Sequence, residues 1–295
     1  MIITRTPYRV SFFGGGTDYP SWYREHGGQV LATSIDKYCY ITCRFLPPFF
    51  EHSIRLAYSE IELCNTIDEI KHPSIRETLR NVGINSAIEI HHDGDMPARS
   101  GIGSSSSFTV GLLNALSSLN NENITKEDLL KRSLLIEQEI LGETVGSQDQ
   151  TMAVHGGFNH IKFSQQGNIS VNKIAIPTEN LSLLNSHLML FFTGLTRMAS
   201  SIALTYVNSL QKNEIRLTRM SSMVDEAINI LQNSKNIDTF GELLHEGWME
   251  KKSLGTEIST AAIDSIYDLA KSSGAIGGKL IGAGGGGFLL LFAKP

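Results

Sequence analysis

The fold is decided by the stretch Pro97-Ala98-Arg99-Ser100-Gly101-Ile102-Gly103-Ser104-Ser105-Ser106-Ser107, which lies between a strand-like run and an apolar helix pattern over residues 108–119. Glycines let a backbone approach a ligand closely, and the first turn of a helix presents free N–H groups at its positive end. Serine hydroxyls in that turn can ligate Mg²⁺, so the stretch suits a nucleotide triphosphate and its metal. An ordinary serine N-cap after a flexible turn is the alternative, and the stretch alone does not separate the two.

This loop matches neither common phosphate-binding signature. A P-loop has the pattern G-x-x-x-x-G-K-[ST], and no lysine follows these glycines. A dinucleotide fingerprint has a third glycine at the position of Ser106 and opens the fold from its first strand. The stretch therefore predicts neither of those sites.

Length and composition set the broad class of the protein. At 295 residues and 41% hydrophobic content, the chain is long enough for two domains or one large one. A net charge of −5, from 25 basic and 30 acidic residues without a basic run, argues against nucleic acid as a partner. Cys39, Cys43 and Cys64 lack C-x-x-C spacing, and neither a signal-peptide pattern nor a membrane-length apolar run is present. These features predict a cytoplasmic protein without a membrane partner.

Strand patterns dominate the first part of the chain and helix patterns the last. The predicted strands are residues 2–4, 8–13, 29–33, 38–45, 87–91, 188–193 and 288–293, with a two- or three-stranded meander over 156–176. The predicted helices are residues 68–82, 108–119, 125–142, 200–231, 239–254 and 260–273. Residues 177–186 are polar and are interpreted as a linker.

Glu137 is the most informative single residue of the helix that a capping box opens at Thr125. Its spacing places it on one face with Leu130, Leu134 and Leu141, so a carboxylate interrupts an apolar stripe. A buried charge is costly unless it is paired or bound to metal, which indicates a cation ligand. The alternative is a glutamate at the edge of the stripe that reaches solvent.

Asp149 lies just beyond the predicted end of that helix, in the polar, glycine-led turn Gly146-Ser147-Gln148-Asp149-Gln150. An acid in such a turn can contact a ligand, although most aspartates in turns only satisfy backbone donors.

The amino-terminal segment Tyr8–Phe13 alternates into Gly14-Gly15-Gly16 and then Thr17-Asp18. Carboxylates accept hydrogen bonds from vicinal hydroxyls, so this end of a strand is a suitable wall for a polyhydroxylated ligand. Arg9, within the apolar strand, needs an anionic partner if it is buried. A tight hairpin with a capping aspartate is the alternative.

Three ordered motifs, Arg9–Asp18, Pro97–Ser105 and Gly282–Gly287, resemble the kinase superfamily named for galactokinase, homoserine kinase, mevalonate kinase and phosphomevalonate kinase (GHMP). The resemblance implies a two-domain α+β fold with an active-site cleft between the domains. We expect the first domain to span residues 1–180 and the second to span residues 181–295. Within the superfamily, the segments 5–19, 145–150 and 192–200 look like the bacterial branch that phosphorylates heptose phosphate.

The chemistry that this resemblance implies is ATP-dependent phosphorylation of a small-molecule hydroxyl. The acceptor would be D-glycero-D-manno-heptose 7-phosphate, phosphorylated at its anomeric hydroxyl to the 1,7-bisphosphate for nucleotide-activated heptose synthesis. Family members usually continue past a strand such as 288–293, so the shorter chain predicts an unpaired strand edge. An unpaired edge favours pairing with another chain, which makes a homodimer a further expectation.

The resemblance also implies roles for individual residues. Asp149 would accept the proton and Arg9 would neutralise charge on the transferring phosphoryl group, while Ser104 or Ser105 together with Glu137 would hold Mg²⁺. The implied ATP-binding residues are Pro97, Arg99, Ser100, Gly101, Ile102, Gly103, Ser104, Ser105 and Ser106. The implied acceptor-binding residues are Gly15, Gly16, Thr17, Asp18, Arg197, Gly284 and Gly285. For the sugar's phosphate Arg197 is the first candidate, followed by Arg24, Lys37 and Arg44.

Two other functional classes fit the same residues. One is a sugar and nucleotide sensor without catalysis, which the presence of Arg9, Glu137 and Asp149 disfavours. The other is a kinase for fucose or another hexose, or for an alcohol of the mevalonate kind. The histidine pairs 91–92 and 155/160 lack a third ligand at diagnostic spacing, so no zinc site is expected.

Overall fold

The computed structural model describes residues 1–85, 87–195 and 210–295, and in these ranges two β-sheets with helices packed on them form the fold. The strands are β1 (Ile2–Phe13), β2 (Gly28–Phe45), β3 (Ile54–Ala57), β4 (Ile61–Cys64), β5 (Ile88–Gly94), β6 (Phe158–Phe163), β7 (Ile169–Lys173), β8 (Leu188–Phe192), β9 (Ala275–Leu280) and β10 (Phe288–Ala293). The helices are α1 (Pro20–His26), α2 (Pro73–Val82), α3 (Ser104–Leu119), α4 (Lys126–Leu134), α5 (Gln148–His155), α6 (Thr178–His187), α7 (Glu214–Asn233), α8 (Asp238–Lys252) and α9 (Ala261–Ser272).

The first sheet has seven strands in the order β4-β3-β5-β2-β6-β7, with β1 along the other side of β2. Two pairs of predicted strands are continuous here: residues 2–4 and 8–13 belong to β1, and residues 29–33 and 38–45 belong to β2. The β1–β2 register shifts between Pro7 and Arg9, where proline cannot donate to the ladder. A bulge at this position lets one strand continue where the sequence predicts a break.

The long strand β2 organises the sheet. Its first part pairs with β6 and its last part with β5, so these two strands share one side of β2 while β1 occupies the other. Helix α3 packs against both β1 and β2, and α5 packs against β1 and α3. This packing brings the starts of α3 and α5 to Arg9 in the second half of β1.

The second sheet has three strands in the order β8-β10-β9. Helix α8 packs against β9, and α6 packs against β10 and α7. The linker predicted over residues 177–186 is wrong, because α6 occupies it. That helix buries only Leu184 and His187, too few apolar positions to make a visible stripe.

Other elements also differ from the sequence prediction. Helices α1 and α5 and the hairpin β3–β4 were not predicted, and the helix over 68–82 is reduced to a 3₁₀ turn followed by α2. The predicted capping box is present, since Thr125 Oγ1 accepts from the Asp128 N–H at 3.1 Å. The helix that it opens continues beyond α4 as a π-helix over Leu135–Ile140. The predicted domain boundary at residue 180 falls inside α6 and stays a prediction.

Buried apolar side chains form two clusters. One fills the space around α2, α3 and the first sheet, and the other joins α1 to α8 and α9. Cys39, Cys43 and Cys64 are buried and unpaired. None of the helices in the described ranges is long and apolar enough to cross a membrane.

Candidate active site

A buried ion pair between Arg9 and Asp149 lies at the centre of the site. Arg9 is only 4% exposed, and its Nε and Nη2 atoms donate to Asp149 Oδ1 and Oδ2 at 2.7 Å each. Its third nitrogen, Nη1, donates to the Gly101 carbonyl at 2.5 Å. Asp149 stands in the first turn of α5 with its side chain 25% exposed. The bidentate pair fixes the orientation of the carboxylate, and its exposed part can still contact a ligand.

Gly103 brings the start of α3 directly onto this ion pair. It precedes the helix with φ +74°, and a Cβ there would lie 3.2 Å from Arg9 Cγ and 3.4 Å from Asp149 Oδ2. The neighbouring Ile102 carbonyl accepts from the Arg9 N–H at 3.1 Å. No side chain caps α3, so the alternative of an ordinary serine N-cap is wrong. The first N–H groups of the helix therefore retain their capacity for an anion.

The two glycine-rich loops touch through their backbones. A Cβ on Gly101 would lie 2.5 Å from the Ile281 carbonyl oxygen, and one on Gly282 would lie 2.4 Å from Gly101 Cα. The Phe288 N–H donates to the Ser100 carbonyl at 3.2 Å. These contacts leave no room for a side chain at position 101 or 282. Glycine at both positions therefore lets the backbones of the two loops touch.

Of the four serines at the start of α3, Ser106 is the one that contacts Glu137. Its Oγ donates to Glu137 Oε2 at 2.8 Å, and Gln150 Nε2 donates to the same oxygen. Ser104 is half-buried and Ser105 is exposed. The hydroxyl beside Glu137 therefore belongs to Ser106 and not to Ser104 or Ser105, the expected metal partners. Within this single turn of helix, Ser106 and Ser107 are buried, whereas Ser104 and Ser105 are not.

Glu137 lies on the π-helix and is completely buried, so it does not reach solvent as the alternative interpretation required. Burial raises its pKa to about 7, and the polar side chains around it oppose that shift. Its second oxygen, Oε1, has no hydrogen-bond partner in the described part of the chain. A buried carboxylate oxygen without a partner needs a cation or a proton.

These residues fit Mg²⁺ only together with a substrate. Mg²⁺ usually takes one or two carboxylates and completes its shell with phosphate oxygens and water. Within the described ranges, no group of three or more His, Cys, Asp or Glu side chains is close enough to hold a metal. The unpartnered Glu137 oxygen and the Ser106 hydroxyl are a donor set of the right kind, with nucleotide phosphates as the missing ligands.

Asp18 is a second buried carboxylate beside the ion pair. It accepts from the Gly16 N–H at 2.9 Å and from the Gln148 N–H at 3.4 Å. A Cβ on Gly146 would lie 1.9 Å from Asp18 Oδ2, so glycine is required there. Burial raises the pKa of Asp18 to about 6, and the charge of Asp149 contributes to the same shift. The turn before α5 therefore places the carboxylates of Asp18 and Asp149 close to each other.

Several predicted binding residues use their polar groups inside the protein. The Thr17 hydroxyl is fully buried and donates to the carbonyls of Gly14 and Gln29, and the Gly285 N–H donates to Ile258. Ser100 is buried too, and its hydroxyl donates to the carbonyl of Pro97. Gly15, Arg99 and Gly101 remain at least partly exposed, whereas Gly16, Ile102 and Gly284 do not: Gly284 packs against the Ile258 backbone.

Two buried lysines that the sequence analysis missed lie under the second glycine loop. The Lys251 Nζ donates to the carbonyls of Leu280 and Gly282, and the Lys279 Nζ donates to the Phe12 carbonyl at 2.7 Å. Lys279 carries the same signal as Arg9, a basic residue inside an apolar strand, and could have been found by it. Lys251 is adjacent in sequence to the more exposed Lys252 and nothing in the sequence separates the two.

The charges of the site affect the pKa of both lysines. Burial lowers the pKa of Lys251 to about 7, and the nearby Arg9 charge contributes to this shift while Asp18 opposes it. Burial also lowers the pKa of Lys279 well below its ordinary value, with Lys251 and Arg9 adding to the effect. The charged form of each lysine is therefore disfavoured by burial and by neighbouring positive charge, and an anion nearby would offset this.

The remaining basic candidates for the sugar's phosphate are exposed or paired with another residue. Arg24 and Lys37 are exposed. Arg44 lies on β2, ten residues beyond Ser34, the residue that pairs with Arg9, and it bonds Glu89. Arg197 lies outside the described residues.

Comparison with known proteins gives the family of this chain. The model of the GHMP kinases N terminal domain matches residues 69–157, and the model of the GHMP kinases C terminal region matches residues 226–295. Together they span more than half of the sequence, and the first contains Gly101, Glu137 and Asp149. The chain belongs to the GHMP kinases.

Relatives of this kinase cover its whole length. The D-glycero-alpha-D-manno-heptose 7-phosphate kinase of Campylobacter jejuni is 30% identical over 307 residues, which are 100% of this chain and 90% of the relative. The L-fucokinase/L-fucose-1-P guanylyltransferase of Bacteroides fragilis is 27% identical over 98% of this chain and 34% of its own length. The crystal structure of a D-glycero-D-manno-heptose 1-phosphate kinase from Bacteroides thetaiotaomicron superposes with a TM-score of 0.81 at 23% identity, covering 100% of this chain and 89% of that one.

These matches confirm the predicted resemblance and the two-domain α+β fold of the kinase. In the structure, a glycine loop, a helix start and an arginine–carboxylate pair converge. Phosphoryl transfer needs mainly positioning and neutralisation of charge, and groups of this kind can supply both.

Proposed function

We propose that this kinase transfers the γ-phosphoryl group of ATP to the anomeric hydroxyl of D-glycero-D-manno-heptose 7-phosphate, forming the 1,7-bisphosphate. The observation that carries the proposal is the Arg9–Asp149 pair beneath Gly103, with Asp18 beside it. The acceptor is chosen because a heptose 7-phosphate kinase is 30% identical over the whole chain.

Asp149 would hold the acceptor hydroxyl and take its proton as the acceptor oxygen bonds to the γ-phosphorus. The bond from that phosphorus to the β–γ bridging oxygen breaks, and ADP leaves. Arg9 fixes the Asp149 carboxylate through two hydrogen bonds and carries positive charge to the same place. The free N–H groups at the start of α3 and the Gly101–Gly103 turn would bind the triphosphate.

Glu137 and Ser106 would hold Mg²⁺. The Ser106 hydroxyl takes the place of Ser104 or Ser105, which the sequence predicted as the metal ligand. The ion would neutralise charge on the bound phosphates. Asp18 would accept hydrogen bonds from sugar hydroxyls, and Gly15 would let the sugar approach the backbone. Arg197 remains the proposed partner of the sugar's own phosphate.

The acceptor is tested with a panel of sugars in an assay that couples ADP release to a colour change. We expect turnover of D-glycero-D-manno-heptose 7-phosphate at least a hundredfold above that of unphosphorylated heptose, galactose or mevalonate. ³¹P spectroscopy of the product would show a new anomeric phosphate. ADP release that no panel member stimulates would contradict the proposal and favour a sensor.

The role of Arg197 is tested in the variant Arg197→Ala. Loss of a charged partner for the sugar's phosphate should raise KM for the phosphorylated heptose and leave KM for the unphosphorylated heptose unchanged. Lys173→Ala, which changes an exposed basic residue that is not a candidate for binding the phosphate, is the control. An unchanged preference for the phosphorylated acceptor would exclude Arg197.

L-fucose is the second candidate acceptor, because a fucokinase is 27% identical over 98% of the chain. It belongs in the same panel. Faster turnover of L-fucose than of the heptose phosphate would show that L-fucose is the better acceptor, and the proposed kinase chemistry would stay the same.

A further inference from the structure

Glu137, the proposed metal ligand, is tied to helix α5 by a single side chain. Gln150, the third residue of α5, donates a hydrogen bond from its Nε2 atom to Glu137 Oε2 on the π-helix. Ser106, in the first turn of α3, donates to the same oxygen at 2.8 Å. Three helical segments from different parts of the chain therefore meet at one carboxylate oxygen.

The two donors leave the other oxygen of this carboxylate without a partner. Glu137 and Gln150 are completely buried, and Glu137 Oε1 has no hydrogen bond in the described part of the chain. A carboxylate can accept hydrogen bonds on both of its oxygens, so a purely structural network has no reason to place both donors on one of them. The arrangement leaves Oε1 as the atom that a cation can contact.

The groups that bond Glu137 Oε2 are both neutral. An amide and a hydroxyl orient a carboxylate without cancelling its charge, whereas a lysine or an arginine would compete with a metal ion for it. Asp149, the residue before Gln150, has the opposite arrangement, because Arg9 pairs with both of its oxygens. Two successive residues of α5 thus belong to a neutralised carboxylate and to the partner of a charged one.

The orientation of the Gln150 amide leaves a second polar atom unsatisfied. Its Oε1 atom is buried and has no hydrogen-bond partner among the described residues. Such acceptors are rare in folded proteins, because each one lowers stability. Turning the amide over would set its oxygen against the Glu137 carboxylate. The bond to Glu137 therefore explains an orientation that the rest of the described surroundings does not satisfy.

We propose that Gln150 is a positioning residue that holds Glu137 for Mg²⁺ in the nucleotide complex. Its Nε2–H group fixes Glu137 Oε2, so that Oε1 is left for the ion. Gln150 acts through Glu137 and does not touch the reacting atoms. The inference rests on the proposed function, because it takes Glu137 and Ser106 to be the residues that hold the metal.

The test measures binding of Mn²⁺, which electron paramagnetic resonance detects, to the enzyme with the imido analogue of ATP and no acceptor. In Gln150→Met we expect the dissociation constant for Mn²⁺ to rise about tenfold, because the partner that orients a metal ligand is lost, while affinity for the analogue in EDTA stays within about twofold. Gln165→Met is the control, since Gln165 is exposed and bonds the Glu25 carbonyl.

Turnover separates loss of positioning from displacement of α5. In Gln150→Met, the Mg²⁺ concentration for half-maximal turnover should rise about tenfold, while kcat at saturating Mg²⁺ should fall less than about threefold. A displaced α5 would instead move Asp149 and lower kcat at every Mg²⁺ concentration. Unchanged Mn²⁺ affinity, or an equal loss of affinity for the analogue with and without metal, would overturn the proposal.

Gln150→Asn gives the same test if the methionine variant does not fold. The shorter side chain keeps a neutral amide but sets it one methylene further from Glu137. The same loss of Mn²⁺ affinity is expected, because the donor no longer reaches Glu137 Oε2. Mn²⁺ affinity equal to that of the wild type would overturn the proposal in this variant as well.

Glu137→Gln separates failure of this inference from failure of the proposed function. If Mn²⁺ binds that variant as tightly as the wild type, Glu137 is not the metal ligand, and the proposed metal site fails together with the inference. If Mn²⁺ binding is lost in Glu137→Gln and kept in Gln150→Met, only the inference fails. The identity of the acceptor does not affect either result, because the binding assay contains no acceptor.

Discussion

Two regions of the site bury cations in opposite ways. Arg9 is paired with Asp149 through two hydrogen bonds of 2.7 Å, and its charge is balanced within the protein. Lys251 and Lys279 are bonded to backbone carbonyls, and burial lowers the pKa of both. The first region is neutral without a ligand, whereas the second gains from an anion nearby. The difference fits the proposed function, in which the ion pair acts on the acceptor hydroxyl, while the lysines bond the backbone around the second glycine loop.

Removal of the carboxylate from the first region should have the largest effect. In Asp149→Asn we expect kcat to fall by about a thousandfold, because general-base assistance and the orientation of Arg9 are both lost. ATP affinity, measured by calorimetry, should change little. Asp268→Asn on the exposed face of α9 is the matched control. A fully active Asp149→Asn enzyme would remove Asp149 from the mechanism.

The glycine contact that joins the two regions gives the next largest effect. Arg9 bonds the Gly101 carbonyl and Lys251 bonds the Gly282 carbonyl, and the two glycines touch. Gly101→Ala combines strain at φ +83° with a clash against Ile281, which should lower the free energy of unfolding by about 3 kcal/mol.

Gly142→Ala is the control for that substitution. Gly142 has φ +63°, and no atom lies within 4 Å of the point that an alanine Cβ would occupy, so only the strain of about 1 kcal/mol should remain. Urea unfolding of both variants measures the difference. Equal destabilisation would show that the loop contact does not constrain position 101.

The lysine region is tested through the pH dependence of stability in Lys251→Met. The folded pKa of Lys251 is about 7, below its ordinary value of 10.5, so the unfolded chain binds more protons between these two values. The stability of the wild type should therefore rise with pH above 7 relative to the variant, on the order of 1 kcal/mol per pH unit. Lys252→Met, which changes the neighbouring lysine, should show no such difference. A pH-independent difference for Lys251→Met would contradict the lowered pKa.

Asp18 should show a smaller effect of the opposite sign. Its folded pKa of about 6 lies above the ordinary value of 3.8, so the folded state retains a proton that the unfolded chain has already released. Relative to Asp18→Asn, the wild type should lose on the order of 2 kcal/mol of stability as pH rises from 4 to 6. Urea unfolding at both pH values measures this. A constant difference across that range would mean that the carboxylate is not desolvated as the structure places it.

The chemistry of the site was more predictable than its geometry. Arg9 and Glu137 were identified because a charge inside an apolar pattern needs a partner, and both are buried beside polar groups. The choice of Ser106 over Ser104 and Ser105 depends on the rotation of α3 against a π-helix. Four consecutive serines give no periodicity from which that rotation can be read.

The elements that sequence patterns missed are those whose form depends on distant contacts. The strand β1 passes Pro7 without ending because a bulge against β2 absorbs the missing donor. Helix α5 is short, follows a glycine turn and has no visible stripe, yet it positions Asp149. The sequence of α6 is as polar as that of a linker, and the helix is recognised only from its packing against α7 and β10. Tertiary packing, which local propensity cannot supply, decides all three.

The contact between Gly101 and Gly282 also restricts how this protein can evolve. In an ordinary core, a larger residue on one side can be compensated by a smaller one on the other. Here both partners already lack a side chain, and the atoms that would clash are backbone. No change of side chain elsewhere can make room, so glycine at positions 101 and 282 has to be kept together.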